Sequence, residues 1–206
     1  MPSAWLFAAA FVGYLLGSLP FGYLVARAHG VDIFKAGSGN PGATNVKRVL
    51  GAKAGNTVFA LDVVKGALAA AWPLLPFLAA PDARIMGLVG VIAAVLGHSF
   101  SIFTRFKGGK GVATAAGGLV VLIPVSCAIG ALVWVVTFFL TRYVSLGSIL
   151  AAVAVPAASW LRGNPLPLNI VATVLGLFVI IRHRENIRRL LNGTESRFAK
   201  KPPAQP

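Results

Sequence analysis

Seven runs of apolar residues, at 4–26, 57–78, 85–97, 112–126, 128–140, 146–161 and 166–181, alternate with short polar stretches along the chain. Runs of this length and composition predict an all-α polytopic membrane protein with about seven transmembrane helices. Several are shorter than the ~17–25 residues that a perpendicular span needs. Those either extend into flanking polar residues or are re-entrant, so five full spans plus two half-helices is the alternative. Pro73, Pro124 and Pro156 lie in or beside the runs and are expected as kinks, which membrane helices tolerate. There is no internal repeat. Residues 1–198 read as a single integral-membrane domain and 199–206 as a disordered cytoplasmic tail. The first run lacks a basic leader and a small-residue cleavage site, so it is expected to stay as a first span.

Composition agrees with the pattern. Only 12% of the 206 residues are charged and 57% are hydrophobic, against about 25% charged in a soluble domain. The net charge of +14 does not imply a nucleic-acid partner, because the cations form no stripe with interleaved aromatics. They sit instead at the ends of apolar runs. Sixteen of the 19 basic residues fall in stretches 27–55, 98–111 and 141–145 and in the tail from Arg182, while Arg84 and Arg162 lie opposite and Lys65 lies within a run. Cytoplasmic loops carry the excess of Lys and Arg, which predicts a periplasmic N-terminus, a cytoplasmic C-terminus and polar loops facing the cytoplasm. Cys127 is the one cysteine, which excludes a disulfide framework and a thiolate metal site.

Three polar clusters carry the candidate chemistry. The first is GSGNPGATNVKR at 37–48, whose glycines and proline let the backbone turn tightly and approach a ligand. Ser38, Asn40, Thr44 and Asn45 add hydroxyls and amides, and Lys47 and Arg48 add cations. The second is FKGGKG at 106–111. Here Gly108, Gly109 and Gly111 allow amides to converge, Lys107 and Lys110 bring charge, and a helix starting near Val112 directs its N-terminal dipole at the same spot. The third is HRENIRR at 183–189. His183 and Asn186 are three apart and share one helix face, while Arg184, Arg188 and Arg189 suit anionic lipid headgroups.

Residues 37–42 match G-x-G-x-x-G literally, with Asp62 about 20 residues on, but no βαβ pattern surrounds them and Asp62 falls in a membrane-length run. Neither glycine loop fits the P-loop pattern. Asp62 and Lys65 share a helix face within the second run, as a functional pair or a structural one. His98 reads as a structural hydrogen-bonding residue at a span end, and His29 as interfacial.

Taken together, GSGNPGATNVKR, GHSFSIFTRFKGGKGVATAAG and HRENIRRLLNGTE resemble the three signature motifs of the acyl-phosphate:glycerol-3-phosphate acyltransferases, the bacterial PlsY family. The similarity runs from the first span to about Phe198. Ser101 stands where many members have proline, a departure expected to lie away from the site. The resemblance implies a multi-pass enzyme of the bacterial inner membrane, its active site facing the cytoplasm. It would move a fatty acyl group from acyl phosphate to the sn-1 hydroxyl of glycerol 3-phosphate, giving lysophosphatidic acid and phosphate, with no cofactor and no metal. The expected partners are the two substrates and membrane lipids.

By the same resemblance, Ser38, Arg48 and Lys107 hold glycerol 3-phosphate, with Ser145, His183 and Asn186 as further contacts. Asn40, Thr44, Asn45 and the Gly108–Gly109 amides serve the acyl-phosphate end, and Lys110 is a further substrate-binding residue. His183, Asn186, Ser38 and Lys107 form the expected catalytic set. Glu195 is expected to be structural, pairing with a cation of the first loop. An acyl phosphate is already electrophilic, so the work is chiefly to bring two mutually repelling anions together. Either His183 or a substrate phosphate accepts the hydroxyl proton. The chain lacks the His-x-x-x-x-Asp motif of other glycerolipid acyltransferases. The alternative, a transporter for a phosphorylated metabolite, would need polar residues deep in several spans, where only Asp62 and Lys65 qualify.

Overall fold

The computed structural model describes residues 2–198, so the expected tail at 199–206 lies outside the described residues. Within them the chain forms ten α-helices and no strand: α1 (Pro2–Ser18), α2 (Phe21–Ala28), α3 (Ala43–Leu50), α4 (Ala52–Ala71), α5 (Ala83–Ser99), α6 (Val112–Leu122), α7 (Pro124–Thr141), α8 (Val144–Leu161), α9 (Leu166–Arg182) and α10 (Arg184–Leu191). Five stretches are long and apolar enough to cross a membrane: Ser3–Ala28, Ala52–Leu74, Ala83–Thr104, Pro124–Thr141 and Val144–Leu161. A sixth qualifies if α9 and α10, bent by 57° at their junction, are taken together. At 11 residues α6 falls short, so each predicted run contains helix, but not every run is a full span by length.

At two boundaries that differ from the sequence expectation, proline accounts for the difference. The first run is broken between Ser18 and Phe21, where Pro20 contributes no N–H to the helical ladder. The fourth and fifth runs divide at Ile123, not at Cys127, because Pro124 opens α7 with its fixed φ. Pro156, by contrast, is accommodated inside α8.

Helix packing relies on small residues, as expected where the hydrophobic effect offers little drive between helices. A Cβ on Gly17 would lie 2.1 Å from the Ala94 carbonyl oxygen, and one on Gly90 2.1 Å from that of Ala69. Gly66 and Gly117 likewise leave no room for a side chain between α4 and α6. The apolar core lies where α5, α6 and α9 meet, around Val91, Val95, Leu119, Ala172 and Leu175. Large apolar side chains such as Phe7, Phe139, Leu140 and Leu161 point outward, as a lipid-facing surface requires. A smaller core around Ile33, Val46 and Val58 seats the first polar loop and α3 against α4.

Candidate active site

The first loop is built around Asn45. Its Oδ1 accepts from the Ser38 amide at 2.8 Å and its Nδ2 donates to the Ala36 carbonyl at 2.9 Å. Gly37 has φ +59°, and a Cβ there would lie 2.3 Å from that same Oδ1. Asn45 is buried, so the predicted substrate contact is a bracket for the loop, its amide occupied on both sides. Asn40 Oδ1 accepts from the Gly42 amide at 2.9 Å, shaping the entry to α3. Ser38 and Arg48 are exposed, and Thr44 is half-buried. The Arg48 guanidinium stacks on the Phe198 ring at 5.7 Å from its centroid, with the Lys47 ammonium at 5.9 Å.

The second loop is a folded turn and not an open cradle. The Thr104 hydroxyl donates to the Lys107 carbonyl at 2.5 Å, and Arg105 and Phe106 both take positive φ. The Gly109 amide donates to the His98 carbonyl at 3.1 Å. A Cβ on Gly108 would lie 2.1 Å from that oxygen, and one on Gly109 2.2 Å from His98 Nε2. These glycines are therefore required by close packing on α5, and the Gly109 N–H is already occupied. The Arg182 guanidinium closes the turn from the other side, donating to the Gly109 carbonyl at 2.9 Å. Lys107 remains exposed, and Gly111, with φ +82°, opens α6.

The third cluster meets the second at Lys110, whose Nζ donates to Asn186 Oδ1. Asn186 Nδ2 donates to Glu195 Oε1 at 2.7 Å, the Ser145 hydroxyl donates to the same oxygen at 2.7 Å, and Arg189 Nε donates to Oε2 at 2.7 Å. The cation that pairs with Glu195 is Arg189 of α10 and not one from the first loop; the turn after α10, with Gly193 at φ +69°, folds the chain back so that the Glu195 amide donates to the Arg189 carbonyl at 3.2 Å. Burial works against the Glu195 carboxylate, yet the hydrogen bonds from Ser145, Asn186 and Arg189 hold its pKa below the ordinary value. Burial pushes the Lys110 ammonium down to about 8, with Glu195 opposing and Arg189, Arg182 and Arg48 adding repulsion. His183 is buried at the α9–α10 bend, its Nδ1 2.8 Å from the Val179 carbonyl. A carbonyl only accepts, so Nδ1 carries the ring proton, and in the neutral ring Nε2 is left as an acceptor.

The predicted residues therefore come together at one end of the bundle. Among the described residues the polar ends of Ser38, Arg48 and Lys107 have no hydrogen-bond partner, while Asn45, Ser145 and Asn186 are engaged with protein groups. Arg182 and Phe198 were missed, because an arginine at a span end reads as an interfacial anchor and a lone phenylalanine in a polar tail has no pattern. Ser101, expected to lie away from the site, lines a small cavity with Pro41, Lys107, Gly108 and Gly109. Its hydroxyl donates to the Ser18 carbonyl at 2.5 Å. No group of His, Cys, Asp and Glu suited to a metal ion occurs among the described residues.

Known proteins are similar to this chain in sequence and in fold. A sequence profile described as glycerol-3-phosphate acyltransferase matches residues 7–193. The glycerol-3-phosphate acyltransferase of Aquifex aeolicus is 45% identical over 90% of this chain and 95% of its own. That of Bacillus subtilis is 46% identical over 89% of this chain and 93% of its own. The crystal structure of PlsY, an integral membrane glycerol 3-phosphate acyltransferase, in its glycerol 3-phosphate form superposes with a TM-score of 0.87 at 43% identity, covering 94% of this chain and 96% of that one. The lysophosphatidic acid form gives 0.84. On this evidence the chain belongs to the glycerol-3-phosphate acyltransferase family.

Proposed function

We propose that the protein transfers a fatty acyl group from acyl phosphate to the sn-1 hydroxyl of glycerol 3-phosphate, releasing lysophosphatidic acid and inorganic phosphate. The hydroxyl oxygen attacks the acyl carbonyl, the bond from carbonyl carbon to phosphate oxygen breaks, and phosphate leaves with the bonding pair. The observation that carries this reading is the convergence of Ser38, Arg48, Lys107, Lys110 and His183 at one end of an apolar bundle, with Lys110 linked to Asn186. Such a cluster suits two phosphates on substrates whose acyl chain lies in lipid. Arg48 and Lys107, free of protein acceptors among the described residues, hold the glycerol 3-phosphate phosphate with Ser38. The Lys110 ammonium, Thr44 and the Gly108 amide attend the acyl phosphate. His183 Nε2 offers an acceptor to the attacking hydroxyl, and Asn186 sets the position of Lys110.

Residues 1–198 act as one membrane domain in this reading. The five long stretches, the bent pair and α6 make seven crossings, with the N-terminus periplasmic, the C-terminus cytoplasmic and the site facing the cytoplasm of a bacterial inner membrane. A thioester donor would leave a thiolate with little use for this many phosphate-type donors, whereas departing phosphate is stabilised by preorganised N–H groups and cations. Purified protein given glycerol 3-phosphate and either acyl phosphate, acyl-CoA or acyl carrier protein should form lysophosphatidic acid from acyl phosphate alone. Comparable product from acyl-CoA would refute the assignment of the donor.

A further inference from the structure

Asp62, Lys65 and His98 meet inside the bundle. Asp62 and Lys65 are 3% and 2% exposed, and their ion pair is 2.8 Å long. His98 Nδ1 lies 3.5 Å from the same Asp62 Oδ1. None of the three belongs to the phosphate-facing set above, and a buried ion pair is weak evidence for stability alone, since an apolar pair of similar volume commonly serves as well.

What the three do touch is informative. On one side, Lys65 Nζ donates to the Leu19 carbonyl at 2.9 Å and lies 5.5 Å from the Phe21 ring centroid. It is thereby a second donor to a carbonyl within the break at Pro20, which also accepts from the Phe21 amide at 3.1 Å. The break aims α2 at the first loop, where Gly22 packs so closely that a Cβ would come 1.7 Å from the Pro41 oxygen. On the other side, the His98 carbonyl and ring form the surface on which Gly108 and Gly109 are seated. Ser101 adds a second tie, from the second loop to the Ser18 carbonyl. One carboxylate thus bridges the supports of both loops.

We propose that Asp62, Lys65 and His98 are positioning residues for acyl transfer, holding the first and second polar loops at the separation that brings the two bound phosphates into register. The inference rests on the loops being the phosphate-binding elements. Each loop keeps its own ligands when the bridge is lost, so both substrates still bind but meet poorly. A displacement of about 1 Å between reacting groups can cost ~100-fold in rate.

The test uses the purified full chain. An Asp62→Val/Lys65→Met double variant removes both charges together and avoids leaving one unpaired. It is expected to fold, judged by size-exclusion profile and thermal midpoint, with KM for both substrates within about threefold of wild type and kcat down roughly 10–100-fold. A folded double variant with wild-type kcat, or one whose defect lies wholly in KM, overturns the proposal. If it does not fold, the His98 pair decides: His98→Ala should lose kcat about tenfold and His98→Gln, which keeps a donor toward Asp62, should recover most of it. Full kcat in His98→Ala, or no recovery in His98→Gln, counts against positioning. Arg48→Ala and Lys107→Ala in parallel should each raise KM for glycerol 3-phosphate about tenfold or more, since charge-assisted hydrogen bonds to anions contribute about 1.5–3 kcal/mol. Unchanged KM in both would remove the underlying assignment of the loops, a failure distinct from the first.

Discussion

Lys110 shows what burial does to a single residue at this site. With its pKa pushed down to about 8, the ammonium is present at neutral pH and is lost as pH rises through that value. Binding of the substrate anion that Lys110 attends should weaken in the same window, so KM for that substrate should climb above about pH 8. A Lys110→Arg variant, charged throughout because guanidinium does not deprotonate in this range, should show a flatter profile whatever its absolute rate. Parallel profiles for the two proteins would separate Lys110 from anion binding. Residue roles were only partly legible in the sequence. Ser38, Arg48 and Lys107 are as exposed as a ligand contact should be, yet Asn45 belongs to the same motif and is a loop bracket. A side-chain amide looks the same in either role until its partners are known, and those of Asn45, Ala36 and Ser38, come from tertiary folding.

The glycines of the second loop make a sharper case at the level of elements. A run such as GGKG suggests converging amides, but here Gly108 and Gly109 are small because α5 lies against them. A Gly108→Ala variant should therefore lose at least about tenfold in kcat/KM, because its methyl group meets a backbone oxygen and the whole turn from Lys107 to Lys110 must move. Gly30→Ala is the control. Gly30, unlike Gly108, has positive φ, but nothing lies within 4 Å of a Cβ there, so activity should survive with a small loss of stability. Equal activity of Gly108→Ala and wild type would contradict the packing account. Hydropathy revealed that helices exist and roughly where, since long apolar runs leave little choice. It did not reveal α3, eight residues with a polar face inside what reads as a loop, nor the 57° bend at His183. Short amphipathic helices are stabilised by what they pack on, which no local pattern records.

For the molecule as a whole, the distribution of cations predicts orientation. A reporter active only in the cytoplasm should be active when fused at the C-terminus and silent when fused at the N-terminus; the reverse pattern would invert the topology and put the site on the wrong side for a cytoplasmic substrate. The membrane class and the meeting of three motifs at one end could be read from the chain, because both follow from where charge is allowed in a bilayer. The bridge through Asp62 could not, since it joins residues 36 positions apart on two helices. That bridge also bears on biogenesis. A charged residue at the centre of an inserting helix costs about 2.5–3.5 kcal/mol, and α4 carries two. Spaced one turn apart, they can neutralise each other while α4 leaves the translocon. Leu19, whose carbonyl accepts from Lys65, precedes α4 in the chain, whereas His98, the second partner of Asp62, lies at the far end of α5. Helices α1, α4 and α5 are therefore expected to settle as a trio before α6 to α9 close around them, making the order of synthesis part of how the two loops find their places.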